Sequence, residues 1–222
     1  MHRYSESFSK RCDLLAPQVV GALQSRRFEA YYCPTGAEAA ALALGLIPEG
    51  ASVSWGGSVT LQEIGLLDLV RRGPFRPLDR DTAQNPEERL DLMRQALLCD
   101  VYLTSVNALS EDGQLINIDG VGNRTAAFTF GPRSVVAVVG MNKLCKTRPE
   151  AEIRARTYAA PLNAQRVLAG ADPETVKTPC QRTGTCADCK SSACICSFLV
   201  TTRMCRPAHR IKVILVGEPL GY

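Results

Sequence analysis

The sequence predicts a three-layer α/β domain on a mostly parallel sheet, and three observations carry that reading. Strand-like runs alternate with helical ones along most of the chain, the pattern of β–α units joined by right-handed crossovers. Ser134-Val-Val-Ala-Val-Val-Gly140 is apolar without alternation, as in a strand covered on both faces at the centre of a parallel sheet. The loops that follow the strand-like runs are polar and bear glycine, at the ends where open α/β sheets bind ligands. The 222 residues suffice for one core, and 45% hydrophobic with 22% charged residues excludes a disordered chain. We therefore expect one domain over residues 1–222.

In order, residues 7–27 carry Phe8, Cys12, Leu15, Val19, Val20 and Leu23 at helical spacing and predict an N-terminal helix within residues 1–28, interrupted or restarted at Pro17. Residues 29–34 read as a strand. Residues 35–45 read as an Ala- and Leu-rich helix with Thr35 as cap and a glycine after it. A second unit follows, with strand 51–55, a Gly56-Gly57 turn and one helix over 58–72. A strand at 75–78 precedes a helix opened by Asn85-Pro86-Glu-Glu and closed near Cys99. Residues 100–105 are the next strand. Asp112-Gly113 between apolar residues predicts a reversal within an extended run to Ile118. A short helix through Ala127, the strand 134–140, a helix over 150–169 and a last strand over 211–217 complete the series.

The remaining segment, residues 178–206, holds six of the ten cysteines. Cys180-x5-Cys186-x2-Cys189-x6-Cys196 is a four-thiolate set, with Cys194 and Cys205 as spares. Short spacings joined by Gly, Ser and Asp turns let a loop bring thiolates to one metal centre. A single Cys-x2-Cys corner with looser flanks suits an iron–sulfur cluster of 4Fe–4S type better than zinc, which usually shows two such corners; zinc stays as the alternative. Cys12, Cys33, Cys99 and Cys145 read as small buried apolar residues. The N-terminus lacks the apolar segment of a signal peptide and no run is long enough to span a membrane, so a cytoplasmic, thiol-reducing setting is expected.

The net charge of +4 is uneven: residues from Lys177 onward carry a net +5. Basic charge beside the cysteines would offset a thiolate-ligated cluster or attract an anion. The bases are scattered and not interleaved with stacking aromatics, which argues against nucleic acid. His2 and His209 have no nucleophile partner in sequence, and there is no Walker loop or G-x-G-x-x-G after the first strand, so hydrolase, P-loop and NAD readings lack support.

Ligand residues are read from the glycine-bearing loops. Gly56, Gly57 and Ser58 offer backbone amides to an anion, with Glu63 on the following helix, although the same pattern also serves a plain strand-to-helix turn. Asn107 follows the strand 100–105. Asp119 and Asn123 flank a glycine-rich loop in which Arg124 could hold a carboxylate or phosphate; a local Asx turn accounts for Asp119 equally well. Lys143 ends the most apolar strand, where it is either an anion ligand or a solvated lysine.

Ser54-Trp-Gly-Gly-Ser-Val-Thr-Leu-Gln-Glu-Ile-Gly65, Asn107-Ala-Leu-Ser-Glu-Asp-Gly113, Asp119-Gly-Val-Gly-Asn-Arg124, Gly140-Met-Asn-Lys143 and Ala160-Pro-Leu-Asn-Ala164 stand in one order along the chain. Together they resemble the LUD domain of lactate-utilisation proteins, over about residues 29–220. The resemblance implies a NagB/RpiA/CoA-transferase-like fold, whose relatives bind phosphosugars, nucleotides or acyl-CoA at these loops. It also implies a link to growth on lactate, in some members beside iron–sulfur and flavin-type oxidoreductase subunits. The tail resembles that of a Cys-rich subset, onto which Cys180, Cys186, Cys189 and Cys196 map, while Cys194 stands where a charged residue is usual.

The expectation is thus an iron–sulfur LUD protein acting in oxidation or conversion of lactate or a related 2-hydroxy acid. Its ligand would be a small anionic metabolite and its partners oxidoreductase subunits or further copies of itself. The alternative is a non-redox enzyme or sensor of phosphorylated or CoA-linked metabolites with a structural zinc. A third reading is an assembly subunit without chemistry of its own.

Overall fold

A computed structural model describes residues 6–170 and 178–222; His2 and Lys177 lie outside them. The N-terminal helix α1 (Glu6–Ser25) runs through Pro17 without a break. Strand β1 (Glu29–Cys33) leads into α2 (Gly36–Gly45), capped by the Thr35 hydroxyl, which accepts from the Glu38 amide. After β2 (Ser52–Trp55) the expected single helix is two, α3 (Val59–Glu63) and α4 (Leu66–Arg72). The break falls at Gly65, whose φ of 68° is left-handed and needs a residue without a Cβ. Strand β3 (Arg76–Leu78), α5 (Pro86–Gln95) and β4 (Val101–Thr104) follow.

The expected reversal at Asp112-Gly113 is a hairpin of β5 (Ala108–Ser110) and β6 (Leu115–Asp119), succeeded by α6 (Asn123–Thr129) and β7 (Ser134–Gly140). A two-residue strand β8 (Leu144–Cys145) precedes a helical stretch of α7 (Arg148–Arg154), a π-helical turn (Ala155–Ala159) and α8 (Ala160–Val167). Pro161 has no amide hydrogen to return to the Thr157 carbonyl, which accounts for the widened turn before it. A short helix α9 (Pro179–Thr183), β9 (Phe198–Thr202) and β10 (Ile211–Val216) close the described chain.

Six strands form one sheet in the order β1-β10-β7-β4-β2-β3, and every pairing in it is parallel. The apolar run in β7 stands inside it with residues 135–140 buried. Its alternate residues serve opposite faces. Val135, Ala137 and Val139 join Cys12, Val19 and Leu23 of α1, while Val136 and Val138 join Ala39, Ala43, Leu61 and Val70. The three-layer, parallel expectation holds. Unforeseen is a second sheet, β8-β5-β6-β9, with β6 antiparallel to both β5 and β9. Strand β9 lies within the cysteine-rich segment, so that segment is stitched into this sheet before the chain returns to β10. Among the described residues no helix is long and apolar enough to cross a membrane.

Candidate ligand cleft and thiol cavity

The loops after β2, β4 and β7 of the parallel sheet, with the loop after β6 of the second sheet, enclose a cleft of about 280 Å³, near the lower end of ordinary small-molecule pockets. Gly56, Gly57, Ser58, Asn107, Asp119, Asn123, Arg124 and Lys143 all line it. Glu63 does not; its carboxylate accepts from the Gly221 amide at 2.6 Å and so fixes the segment that carries Tyr222 to the cleft. Ser58 caps α3 through the Leu61 amide. A Cβ on Gly56 would lie 3.2 Å from the Tyr102 hydroxyl, so glycine lets the backbone pass close to that buried ring.

Arg124 is a brace. Its Nε donates to Asp119 Oδ1 at 2.8 Å, its Nη1 to the Ser105 carbonyl, and its Nη2 to Asn107 Oδ1 and the Ile118 carbonyl. Asp119 Oδ2 accepts from the Thr125 amide at 2.7 Å, and Asn107 Oδ1 accepts from the Ile118 amide as well. Asp119, Asn107 and Arg124 therefore tie the loop after β4 to the end of β6, and most of Arg124's donors face protein rather than the cleft. The local turn at Asp119 exists and is part of this network.

Lys143 is only 2% exposed, which excludes the solvated reading. Its ammonium donates to Thr60 Oγ1 at 2.9 Å and Ser105 Oγ at 3.0 Å. Burial, then the Arg154 and Arg124 charges, push its pKa down to about 7 against a smaller pull from Glu63. Near neutrality this amine carries a proton part of the time, and an anion beside it would favour the charged form.

Two further cations escaped the sequence reading. A Cβ on Gly57 would stand 2.7 Å from Arg80 Nη2 and 3.5 Å from Arg166 Nη2, so both guanidiniums lie over that glycine. Arg80 comes from the turn just after β3 and Arg166 from α8, too far apart in sequence to read as a pair; the signal for Arg80 was its position beyond a strand's carboxyl end. The cleft lining thus holds Arg80, Arg124, Lys143 and Arg166 against Asp119 as its acid. It attracts anions.

Behind this cleft lies a second, more apolar cavity lined by Cys180, Cys186, Cys189, Cys194 and Cys196. The two share Ile118 and Ile195. Three contacts fasten them together: Phe198 pairs with Asp119 at the end of β6, the Phe198 ring lies 3.2 Å from where a Cβ on Gly122 would sit, and the Ile195 Cα lies 3.3 Å from where one on Gly120 would sit. Helix α8 holds the first thiol's segment, Gln165 Nε2 donating to the Cys180 and Gln181 carbonyls. Gly184, with a φ of 75°, turns the chain out of α9 as its amide returns to the Cys180 carbonyl. Arg156 of the π-helical turn pairs with Asp188 at 2.5 Å beside Cys189.

Cys194 interacts with both Cys189 and Cys196, and burial, then the neighbouring Cys194, Cys180 and Cys186, pushes the Cys196 thiol up to about 12. The donor chemistry suits a soft metal centre, because a bound cation would reverse that penalty on thiolates. Among the described residues no three potential ligands already converge on a metal point. Residues 185–197 carry neither helix nor strand, so regular structure does not hold Cys186, Cys189, Cys194 and Cys196 apart. Cys205 is elsewhere, fully buried in the core against α1, with its sulfur accepting from the Ile211 amide. Cys12, Cys33 and Cys99 are buried as expected, and Cys145 is half-buried.

Among curated proteins none matches the chain. Among solved structures it is similar to a DUF162 family protein from Deinococcus radiodurans, at 14% identity and a TM-score of 0.49, over 92% of this chain and 97% of that one. The LUD domain model matches residues 16–216, a span that takes in both sheets, the cleft lining apart from Gly221 and Tyr222, and every cysteine of the second cavity. The chain belongs to the LUD-domain family.

Proposed function

We propose that this protein binds the carboxylate of lactate or a related 2-hydroxy acid in the cationic cleft and acts in its oxidation or conversion, with a 4Fe–4S cluster held by Cys180, Cys186, Cys189 and Cys196. Membership of the LUD family supports a role connected with lactate utilisation in general terms; the acid and the cluster are our reading. The observation that carries it is the common wall, Ile118 and Ile195, between an anion-attracting cleft and a cavity lined by five thiols.

Lys143, Thr60 and Ser105 would receive the carboxylate, the amine supplying charge and the hydroxyls orienting it. Asp119 and Arg124 keep the loop that carries Ser105 in register. A cluster, when bound, supplies one-electron transfer.

Protein purified anaerobically should contain iron and sulfide in stoichiometric amounts and absorb broadly near ~400 nm. Protein with neither would sink the cluster, and stoichiometric zinc without iron would favour a structural zinc site. Isothermal titration with lactate tests the cleft, with Lys143→Met expected to weaken binding about tenfold or more.

A further inference from the structure

The cleft has two cationic poles. One is Lys143 with Thr60 and Ser105. The other is the pair of guanidiniums over Gly57. A single monocarboxylate, with one negative charge, answers the first pole and leaves the second without an anion.

The second pole is poorly satisfied by the protein. Arg80 Nε is buried and has no hydrogen-bond partner. Its nearest acid, Asp81, is 3.9 Å from that nitrogen and is engaged at 3.1 Å by Arg89. Among the described residues, Arg166 is held by the neutral side chain of Asn163, through Nε at 3.2 Å and Nη2 at 2.8 Å. Burial and the neighbouring Arg166 and Arg89 disfavour the charge on Arg80, while Tyr102 and Asp81 oppose them. Two like charges set side by side repel unless an anion stands between them. A planar carboxylate satisfies one guanidinium fork. A phosphate has three acceptor oxygens and about −1.5 to −2 charge at pH 7, which matches two guanidiniums.

We infer that the ligand is bipartite: a 2-hydroxy or 2-oxo acid that also carries a phosphate ester, the phosphate between Arg80 and Arg166 over Gly57 and the carboxylate at Lys143. This rests on the cleft being the hydroxy-acid site proposed above, and narrows the acid from a simple monoanion to a phosphorylated one. Both poles line the same cleft of about 280 Å³.

The test is calorimetric titration of the full chain with glycerate, 3-phosphoglycerate, lactate and inorganic phosphate. Glycerate and 3-phosphoglycerate share the 2-hydroxy acid and differ by the phosphate. We expect 3-phosphoglycerate to bind ~100-fold tighter than glycerate. Arg166→Gln should cut that ratio below about tenfold, and Lys143→Met should weaken both ligands. Arg80→Gln should act like Arg166→Gln; should it not fold, the exposed Arg166 carries the test. A ratio below about tenfold in the unaltered protein, or one that Arg166→Gln does not change, overturns the inference. Binding of lactate without any phosphate advantage sinks this inference alone. Binding of inorganic phosphate, lost in Arg166→Gln, without binding of lactate or glycerate sinks the hydroxy-acid reading and retains the phosphate site; no binding of any of the four sinks both.

Discussion

The cleft and the thiol cavity share a wall but are built in opposite ways. Around the cleft, side chains come from the ends of parallel strands and are locked by one another: Arg124 alone links Asp119, Ser105, Asn107 and Ile118. Around the cavity, Cys180 sits on the short helix α9 and the other four thiols on a stretch without regular structure, tied down through the Cys180 carbonyl, Asp188 and the start of β9. The first site is organised by the fold before any ligand arrives. The second has its donors gathered around one cavity but, among the described residues, not converged on one point. Damage should therefore spread differently from the two.

The largest effect should come from the cavity. Replacing Cys180, Cys186, Cys189 or Cys196 by Ser should abolish stoichiometric iron, read by metal analysis, while lactate affinity in the cleft stays within about threefold. Cys194→Ser should retain iron; loss equal to the other four would make Cys194 a ligand and redraw the set. Next, Asp119→Asn removes the acid from a buried pair and should lower stability by about 3 kcal/mol in urea unfolding, because the Arg124 charge remains. A cost under about 0.5 kcal/mol would mean that the cleft is not pre-locked.

A smaller effect concerns pH. Burial holds the Lys143 pKa near 7, well below that of a free lysine, so its charge is gained as pH falls through that value. The groups acting on it are Arg154 and Arg124, which lower the pKa, and Glu63, which raises it. Affinity for lactate, whose carboxyl stays ionised throughout, should rise about tenfold from pH 8 to pH 6, and Lys143→Met should flatten the profile. The smallest change is at the common wall. Gly120→Ala would bring a methyl to 3.3 Å from the Ile195 Cα and should cost about 1 kcal/mol, with iron content unaltered. Iron loss there would show that the two sites are coupled through this contact.

Much of the parallel sheet was readable because its signals are local. The unbroken apolar run of β7, the Thr35 and Asn85 caps and the Asp112-Gly113 reversal each act within a few residues. The second sheet was not, since β8 has two residues and β9 is half-exposed among the cysteines, so neither shows a period of its own. The break at Gly65 hid inside a good helical pattern, where glycine is tolerated and its left-handed φ has no signature. For the site, residues beside strand ends were found because topology dictates that position. Glu63 lay in the same run but points to Gly221, a direction that spacing cannot supply. Arg80 and Arg166 meet only through tertiary folding, and the sharing of the cavity by Cys194 is likewise a matter of where the loop bends.

Strand β10 sits between β1 and β7, although it is the last strand of the described chain. During vectorial synthesis the sheet must keep an open slot between its first strand and β7 until residues 211–216 leave the ribosome. By then every cysteine of the cavity has been made. The thiols are therefore made before the sheet can close, and because the closing strand pairs with partners far back in the chain the sheet should form slowly.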